Sequence, residues 1–389
     1  MRDILIVAGK RTPMGEYGGV LRDFTAVELG AIAAKAAIEQ SGFQPRDFQH
    51  AIFGNAMQTS GDSLYGARHV ALKAGLPIEV PALTVNRLCG SGIQAMISAA
   101  QLIQLGEAEV VLAGGMESMS QAPHVIRGAR WGLRLGEGKL EDSLMVALLD
   151  TYCGCSMAVT AENLARKYGV SRSSQDEFAL RSQKAAAAAW EAGKFRDEIT
   201  PVEVKSRRGV ELFERDDHMR PDSTLEGLAK LKPAFSKDGC VTAGNASGIV
   251  DGGAAVVMTG GERAGTNPLG RIVSWGVAGV QPDIMGIGPV PAIKIALDRA
   301  GLKLSDLDLI EINEAFAAQY LACETALELD RNKVNVNGGA IALGHPLGAS
   351  GTRLTMTLLY ELKRRKKRYG IASACIGGGQ GIAMVLEAL

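Results

Sequence analysis

ALTVNRLCGSGIQAMISAAQLIQLGEAEVVLAGG, residues 82–115, reads as strand, helix and strand in succession. ALTVN is a short apolar run. Ile93, Met96, Ile97, Ala100 and Ile103 then recur at helical spacing, and Gly106 can close that helix. EVVLAGG is again a run of strand length. Strands alternating with helices imply parallel pairing through crossovers, with helices on the sheet faces. The same stretch sets Cys89 between a strand and a helix, followed by Gly-Ser-Gly. Two readings stand for it: a small buried hydrophobe, or a thiol whose ionisation the positive end of the helix favours.

Outward from this unit the alternation continues. ILIVAG from Ile4 is a first strand, and a helix starts at Thr25, where Glu28 completes a capping box, and stops at Gly42. HAIFGN is a second strand, and Leu64 to Ala74 a helix. The last part of the chain repeats the order. RIVSWGVAGV is a strand, VPAIKIALDRAG a helix, LDLIEIN a strand, Ala315 to Glu328 a helix, and NKVNVN a strand. A helix from Ser350 to about Arg365 follows, then the strands GIASACIGG and GIAMVLEA. With Asp251 to Gly260 as a returning strand, both halves read βαβαβαββ. The fold class is therefore α/β, two duplicated halves with mixed, mostly parallel sheets in layers. Interrupting the first half, the stretch from about Ser118 to Gly248 is too long for a loop and reads as an inserted subdomain or lid. We place the first half at 1–118 with 249–268, the insertion at 119–248 and the second half at 269–389.

Bulk properties narrow the function. With 42 basic and 42 acidic residues the chain has no net charge, which argues against a nucleic-acid binder. No run of about 18 apolar residues suggests a membrane span. Six cysteines at irregular spacing suit a reducing compartment, so a cytoplasmic enzyme is expected.

Three further segments end predicted strands and carry reactive side chains, and sites in such sheets lie at strand carboxyl ends. NEAFAAQ begins at Asn313, GGAIALGHPLGASG sets His345 among glycines before a helix, and CIGGGQG places Cys375 before a glycine turn. Together they supply a nucleophilic thiol, a base, a second acid/base and N–H groups for an oxyanion. Cys89 precedes the third helix of one half, and His345 precedes its counterpart in the other.

The segments NRLCGSG, NEAFA, GHPLGASG and CIGGGQG, in this order, resemble those of the thiolases, acetyl-CoA acyltransferases. The likeness extends over the whole chain, through IVAGKRTPMGEYGG, AGGMESMS and TAGNASG. It implies a thiolase-like fold and CoA-dependent cleavage of 3-oxoacyl-CoA, or the reverse condensation, by a ping-pong route. By the resemblance Cys89 carries the acyl group, His345 activates it, and Cys375 moves the α-proton. Asn313 holds a thioester oxygen through water, and the N–H groups of Cys89 and Gly377 meet an oxyanion. CoA contacts would come from Arg220, Leu228, Phe235, Ala243, Ser247, Met285, Phe316 and Met157. Acyl-CoA and CoA are then substrates, with no cofactor and no metal. The stretch His124 to Leu144, with Trp131, corresponds to a loop that joins dimers, so a homotetramer, a dimer of dimers, is expected, with a dimer as the fallback. One departure stands out. Ser156-Met157-Ala158 replaces the His-Met-Gly of short-chain biosynthetic thiolases, which leaves space near the acyl group unless Leu148 fills it.

Other signals are weaker. Cys153-Gly154-Cys155 has the wrong spacing for structural zinc and reads as incidental. The basic run Lys363 to Arg368 ends a helix, where cations are favoured anyway. Condensing enzymes of the hydroxymethylglutaryl type share the fold, but they would be expected to lack a residue like Cys375. A CoA carrier would need a broken site, and all four segments are intact.

Overall fold

The computed structural model describes residues 2–206, 209–263 and 267–389. In the first half β1 (Ile4–Arg11), β2 (Gly15–Glu16), α1 (Ala26–Ser41), β3 (His50–Gly54), α2 (Gly66–Lys73), β4 (Ala82–Val85), α3 (Ser91–Leu105) and β5 (Val110–Glu117) follow in order. The insertion holds β6 (His124–Ile126), β7 (Leu140–Asp142), α4 (Ser143–Ala147), β8 (Leu149–Asp150), β9 (Cys155–Ser156), α5 (Met157–Tyr168), α6 (Arg172–Glu191), β10 (Val202–Ser206), β11 (Gly209–Phe213) and α7 (Leu225–Ala229). After β12 (Val250–Gly260) come β13 (Gly270–Gly279), α8 (Pro289–Ala300), β14 (Leu309–Ile312), α9 (Ala317–Leu327), α10 (Ala340–Leu343), α11 (Leu347–Arg365), β15 (Tyr369–Ile376) and β16 (Gln380–Ala388).

Local signals act where the sequence places them. The Thr25 hydroxyl accepts the Glu28 N–H at 3.2 Å, and the Glu28 carboxylate accepts the Thr25 N–H at 2.9 Å. Such a cap contributes about 1 kcal/mol. Gly42 at φ 76° ends the helix.

The main sheet runs β14-β15-β16-β13-β1-β12-β5-β3-β4 and contains no strand of the insertion between β5 and β12. It is mixed, but its parallel share is smaller than expected. Only β14–β15, β3–β4 and β3–β5 are parallel, all at the two ends. Those strands are joined by helical crossovers, whereas β15–β16 is a hairpin and β1 pairs antiparallel with both β12 and β13. NKVNVN makes a single bridge, Val334 to Ile310, instead of a strand. Asn335 has φ +45°, which breaks extended backbone, and its side chain bonds the N–H and C=O of Ile312 in place of a ladder.

Strand periodicity sorts side chains into layers. Ile52, Val111, Ala113, Val256 and Met258 of the first half face the same core as Ala372, Ala374, Ile382, Met384 and Leu386 of the second, with α3 and α11 between them. The alternate residues Ala51, Phe53, Val110, Leu112 and Val257 pack on α1 and α2. Ile371, Ala383 and Val385 pack on α8 and α9. The segment Leu88–Leu105 is long and apolar enough to cross a membrane by composition, but it is mostly buried here as the central helix.

α3 and α11 touch backbone to backbone. A Cβ on Gly92 would lie 2.5 Å from the Thr352 nitrogen, and one on Gly351 2.5 Å from the Ile93 nitrogen. This contact brings the loops before the two helices to one place. The insertion leans on the second half, where Phe178 stacks on Tyr320 with ring centroids 4.1 Å apart.

Candidate active site

Cys89 lies in the 3₁₀ turn Leu88–Gly90 that precedes α3, not in the helix itself. The turn is held by its neighbours. Leu88 has φ +45°, a strained value for a branched residue, and Asn86 Oδ1 accepts its N–H at 2.9 Å. Ser91 Oγ accepts the Arg87 N–H and donates to the Leu88 carbonyl. A Cβ on Gly90 would sit 2.6 Å from Ile376 Cδ1, so glycine is what lets this turn reach the end of β15. Cys89 is buried against Met57, Met119, Leu144 and Leu347.

Burial pushes the Cys89 thiol up to about 11, with Glu117 adding to the rise, although the N–H groups of Gly377 and Cys89 itself pull the other way. Burial thus opposes the ionisation that the helix mouth was expected to favour. Desolvation outweighs the helix end, and the thiol holds its proton at neutral pH. It needs a base.

His345, which the sequence suggested as that base, is buried in the loop between α10 and α11. Gly344 before it has φ +90°, and a Cβ there would lie 2.3 Å from Val250. The His345 N–H donates to the Gly248 carbonyl at 2.9 Å. Ser350 Oγ stands 2.5 Å from Nδ1 and gives its own proton to the Pro346 carbonyl. The hydroxyl can then only accept from the ring, which puts the ring proton on Nδ1 and leaves a lone pair on Nε2. Asn313 Nδ2 approaches that lone pair at 3.2 Å. Asn313 Oδ1 is buried without a partner among the described residues, an acceptor free for a water or substrate donor.

Burial, helped by Arg353, pushes His345 down to about 3 from an ordinary 6.5. The ring is neutral at physiological pH and able to take a proton. The folded value lies below the unfolded one, so this group's contribution to stability is complete above pH 6.5 and is lost as the pH falls toward 3. Each pH unit in between removes about 1.4 kcal/mol. His345→Gln, which cannot charge, is expected to flatten the acid limb of urea midpoint against pH. Equal slopes for the two proteins between about pH 6 and pH 4 would mean the folded ring does protonate.

Cys375 is the next-to-last residue of β15, fully buried against Met285 and Ala315, with Met157 and Phe316 alongside. Burial, then proximity to Cys89 and Cys323, pushes its thiol well above the ordinary range. The turn after it needs glycine, because Gly378 and Gly379 have φ +82° and +83°. It presents the Gly377 N–H to the Cys89 sulfur. Gly377 and Gly378 line a cavity of about 230 Å³ with Leu88, Cys89, Ala147, Leu148, Leu149, Met157 and Leu347.

The structure thus assembles Cys89, Cys375 and Gly377, and joins Asn313 to His345. Met157, Met285 and Phe316 lie at Cys375, as walls of the same place. The other expected CoA contacts differ in kind. Arg220 is exposed, but its guanidinium already bonds Glu16 at 2.6 Å and the carbonyls of Asp217, His218 and Met219. Ala243 and Phe235 are exposed, while Ser247 is half-buried and donates its N–H to Ala315. Leu228 is buried in the core with Phe178 and Leu164, where packing accounts for it.

Glu117 escaped the sequence reading. Its buried carboxylate accepts from the N–H groups of Ala56, Met57 and Gly348 and from Asn55 Nδ2 at 2.8–3.1 Å. It ties the Met57 loop beside Cys89 to the start of α11 beside His345. Burial pushes it up to about 7. The available signal was a carboxylate ending an otherwise apolar strand.

The basic run Lys363–Arg368 is largely neutralised. Arg364 and Arg365 pair with Glu361, Lys367 with Asp308, and Arg368 with Glu387. Among the described residues, no group of three or more His, Cys, Asp or Glu side chains is placed to hold a metal ion.

Comparison with known proteins gives the same direction. Family models described as the thiolase N-terminal and C-terminal domains match residues 4–262 and 266–388. The human mitochondrial 3-ketoacyl-CoA thiolase is 54% identical over 391 residues, covering 100% of this chain and 98% of its own. Beta-ketothiolase BktB of Cupriavidus necator is 51% identical over 390 residues, covering 99% of each. The crystal structure of the human mitochondrial enzyme in complex with CoA superposes with a TM-score of 0.97 at 54% identity, over 100% of this chain and 98% of that one.

Proposed function

Because the chain belongs to the thiolase family, we propose that Cys89, His345 and Cys375 carry out its CoA-dependent acyl transfer in two half-reactions. The protein is an acyltransferase that cleaves 3-oxoacyl-CoA with CoA to acetyl-CoA and a shortened acyl-CoA, or runs the reverse condensation. The observation that supports the residue assignment is the meeting of two buried thiols, one from each half, with Leu347, two residues after a histidine that burial holds neutral, packed on Cys89.

His345 takes the Cys89 proton, and the thiolate adds to the 3-oxo carbon. The bond between that carbon and the α-carbon breaks, and Cys375 gives its proton to the departing α-carbon, which releases acetyl-CoA. The acyl group remains on Cys89 as a thioester. Free CoA gives its thiol proton to the Cys375 thiolate, attacks that carbonyl and leaves as the shortened acyl-CoA, while His345 returns its proton to the departing Cys89 thiolate. The N–H groups of Cys89 and Gly377 meet the oxyanion of the acyl-enzyme steps. A water held by the unpartnered Asn313 Oδ1, with His345, would meet the thioester oxygen of acetyl-CoA. No step needs a metal or a redox cofactor. CoA reaches the site past Met157, Met285 and Phe316, with Ser247, Ala243, Phe235 and Arg220 toward its far end. Arg220 must then exchange Glu16 for phosphate.

The cavity sets the acyl preference. Ser156, expected to free space, instead caps α5 by accepting the Val159 N–H. Leu148, Leu149 and Met157 form the wall, and a cavity of about 230 Å³ remains. We expect six-carbon and longer or branched 3-oxoacyl-CoAs to be cleaved with kcat/KM comparable to or above that of acetoacetyl-CoA. Leu148→Trp should shift the preference toward the shorter substrate. Each methylene accepted is worth about 1–3 kcal/mol. A wild-type preference for acetoacetyl-CoA over the six-carbon substrate of more than about tenfold would overturn this reading.

We divide the chain as the sequence suggested, with the insertion at 119–248. Its hairpin β6–β7 carries Trp131, 84% exposed, and Leu135, 98% exposed, an apolar tip that supports assembly into a homotetramer. Light scattering at micromolar concentration should give four times the chain mass, and a monomer would contradict it. All six cysteines are unpaired, which supports the proposed cytoplasmic location, although the human relative is mitochondrial by name.

A further inference from the structure

Cys153 and Cys155 sit on the hairpin β8–β9, where Leu149 pairs with Ser156 and Asp150 with Cys155. The hairpin's first side belongs to the site. Leu148, Leu149, Asp150 and Thr151 line the cavity at Cys89, and Met157, just past the second side, lines it too. The two sides are pinned together, since the Met157 N–H donates to the Leu148 carbonyl at 2.9 Å. At the tip, Gly154 has φ +68° and donates its N–H to the Asp150 carbonyl. This turn folds Cys155 back over its neighbour, with its Sγ 3.6 Å from the Cys153 carbonyl. Each thiol bears on the ionisation of the other, and both are partly open to solvent. Their Cα atoms, two positions apart, cannot separate by more than about 7 Å, close to the span a disulfide bridges.

We propose that Cys153 and Cys155 form a reversible modification site, a dithiol that exchanges with small disulfides to close a ring and reshape the cavity wall beside Cys89. One thiolate attacks a sulfur of the small disulfide, whose S–S bond breaks, and a first small thiolate leaves and takes up a proton. The second cysteine thiolate then attacks the mixed disulfide and expels the other small thiolate. Two electrons pass from the cysteine pair to the small disulfide, and the two cysteine protons balance the two thiols released. The new ring encloses Gly154, so its left-handed turn and its bond to Asp150 must adjust. That adjustment is transmitted to Leu149 and Leu148, one strand away. The consequence for catalysis rests on the reading of this cavity as the acyl site.

The test has two arms. In a Cys89→Ser background, exposure to oxidised glutathione followed by peptide mass mapping should show loss of two hydrogens on the peptide holding both Cys153 and Cys155. Dithiothreitol should restore them. No change, or a stable glutathione adduct on either residue, would overturn the ring. This arm reads mass alone, so its failure is separate from any failure of the thiolase reading. In the catalytically competent protein, the same treatment should change the ratio of kcat/KM for six-carbon and four-carbon substrates by at least about tenfold, the discrimination of one methylene. The ratio should hold constant in the Cys153→Ser/Cys155→Ser protein. An unchanged ratio in the protein shown to carry the ring would overturn the link to the cavity.

Discussion

Cys89→Ser is expected to fold normally and to lose turnover by roughly 10⁴-fold or more, the scale of removing a nucleophile that works as part of a unit. The site gives the reason. Burial already pushes the Cys89 thiol up to about 11, so even the native side chain needs a base, the part proposed for His345. A serine hydroxyl is far harder to ionise, and the same base cannot make it a nucleophile at neutral pH. The fold should survive, because oxygen for sulfur removes little volume from a turn held by Asn86 and Ser91. An unchanged denaturation midpoint with lost thiolysis is the expected pair of results. Near wild-type turnover in this variant would remove Cys89 from the mechanism.

Cys375→Ala is expected to slow exchange of the α-protons of acetyl-CoA with solvent deuterium by about 10²–10⁴-fold, the usual contribution of a positioned acid or base. The thiol lies near the end of β15 beside Met285, Ala315 and Phe316, fully buried from bulk solvent. Acyl transfer to Cys89 from a 3-oxoacyl-CoA should persist at a low rate, since the nucleophile and its base are untouched. Exchange at the wild-type rate would assign the α-proton to another group.

Much of this arrangement was legible in the sequence for local reasons. The capping box at Thr25 and Glu28 is a short-range device, and it forms as read. The two central helices could be matched because each follows a glycine-rich segment, and glycine is needed where α3 meets α11. What escaped was non-local. NKVNVN has strand composition, but Asn335 uses its side chain to satisfy Ile312 and turns the backbone left-handed. Glu117 reads as one carboxylate among many until the fold buries it among four donors. The state of Cys89 also depended on burial, which a helix-end argument does not contain. Arg220 looked free for phosphate, and only the folded chain shows Glu16 already on it.

The central claim is a covalent acyl-enzyme on Cys89, formed before CoA attacks. Mixing the protein with a 3-oxoacyl-CoA in the absence of free CoA, quenching in acid and mapping the peptides by mass tests it directly. The shortened acyl group is expected on the peptide that contains Cys89, lost when CoA is added and never formed by Cys89→Ser. Acyl label on Cys375, or thiolysis at full rate with no acylated peptide, would contradict it.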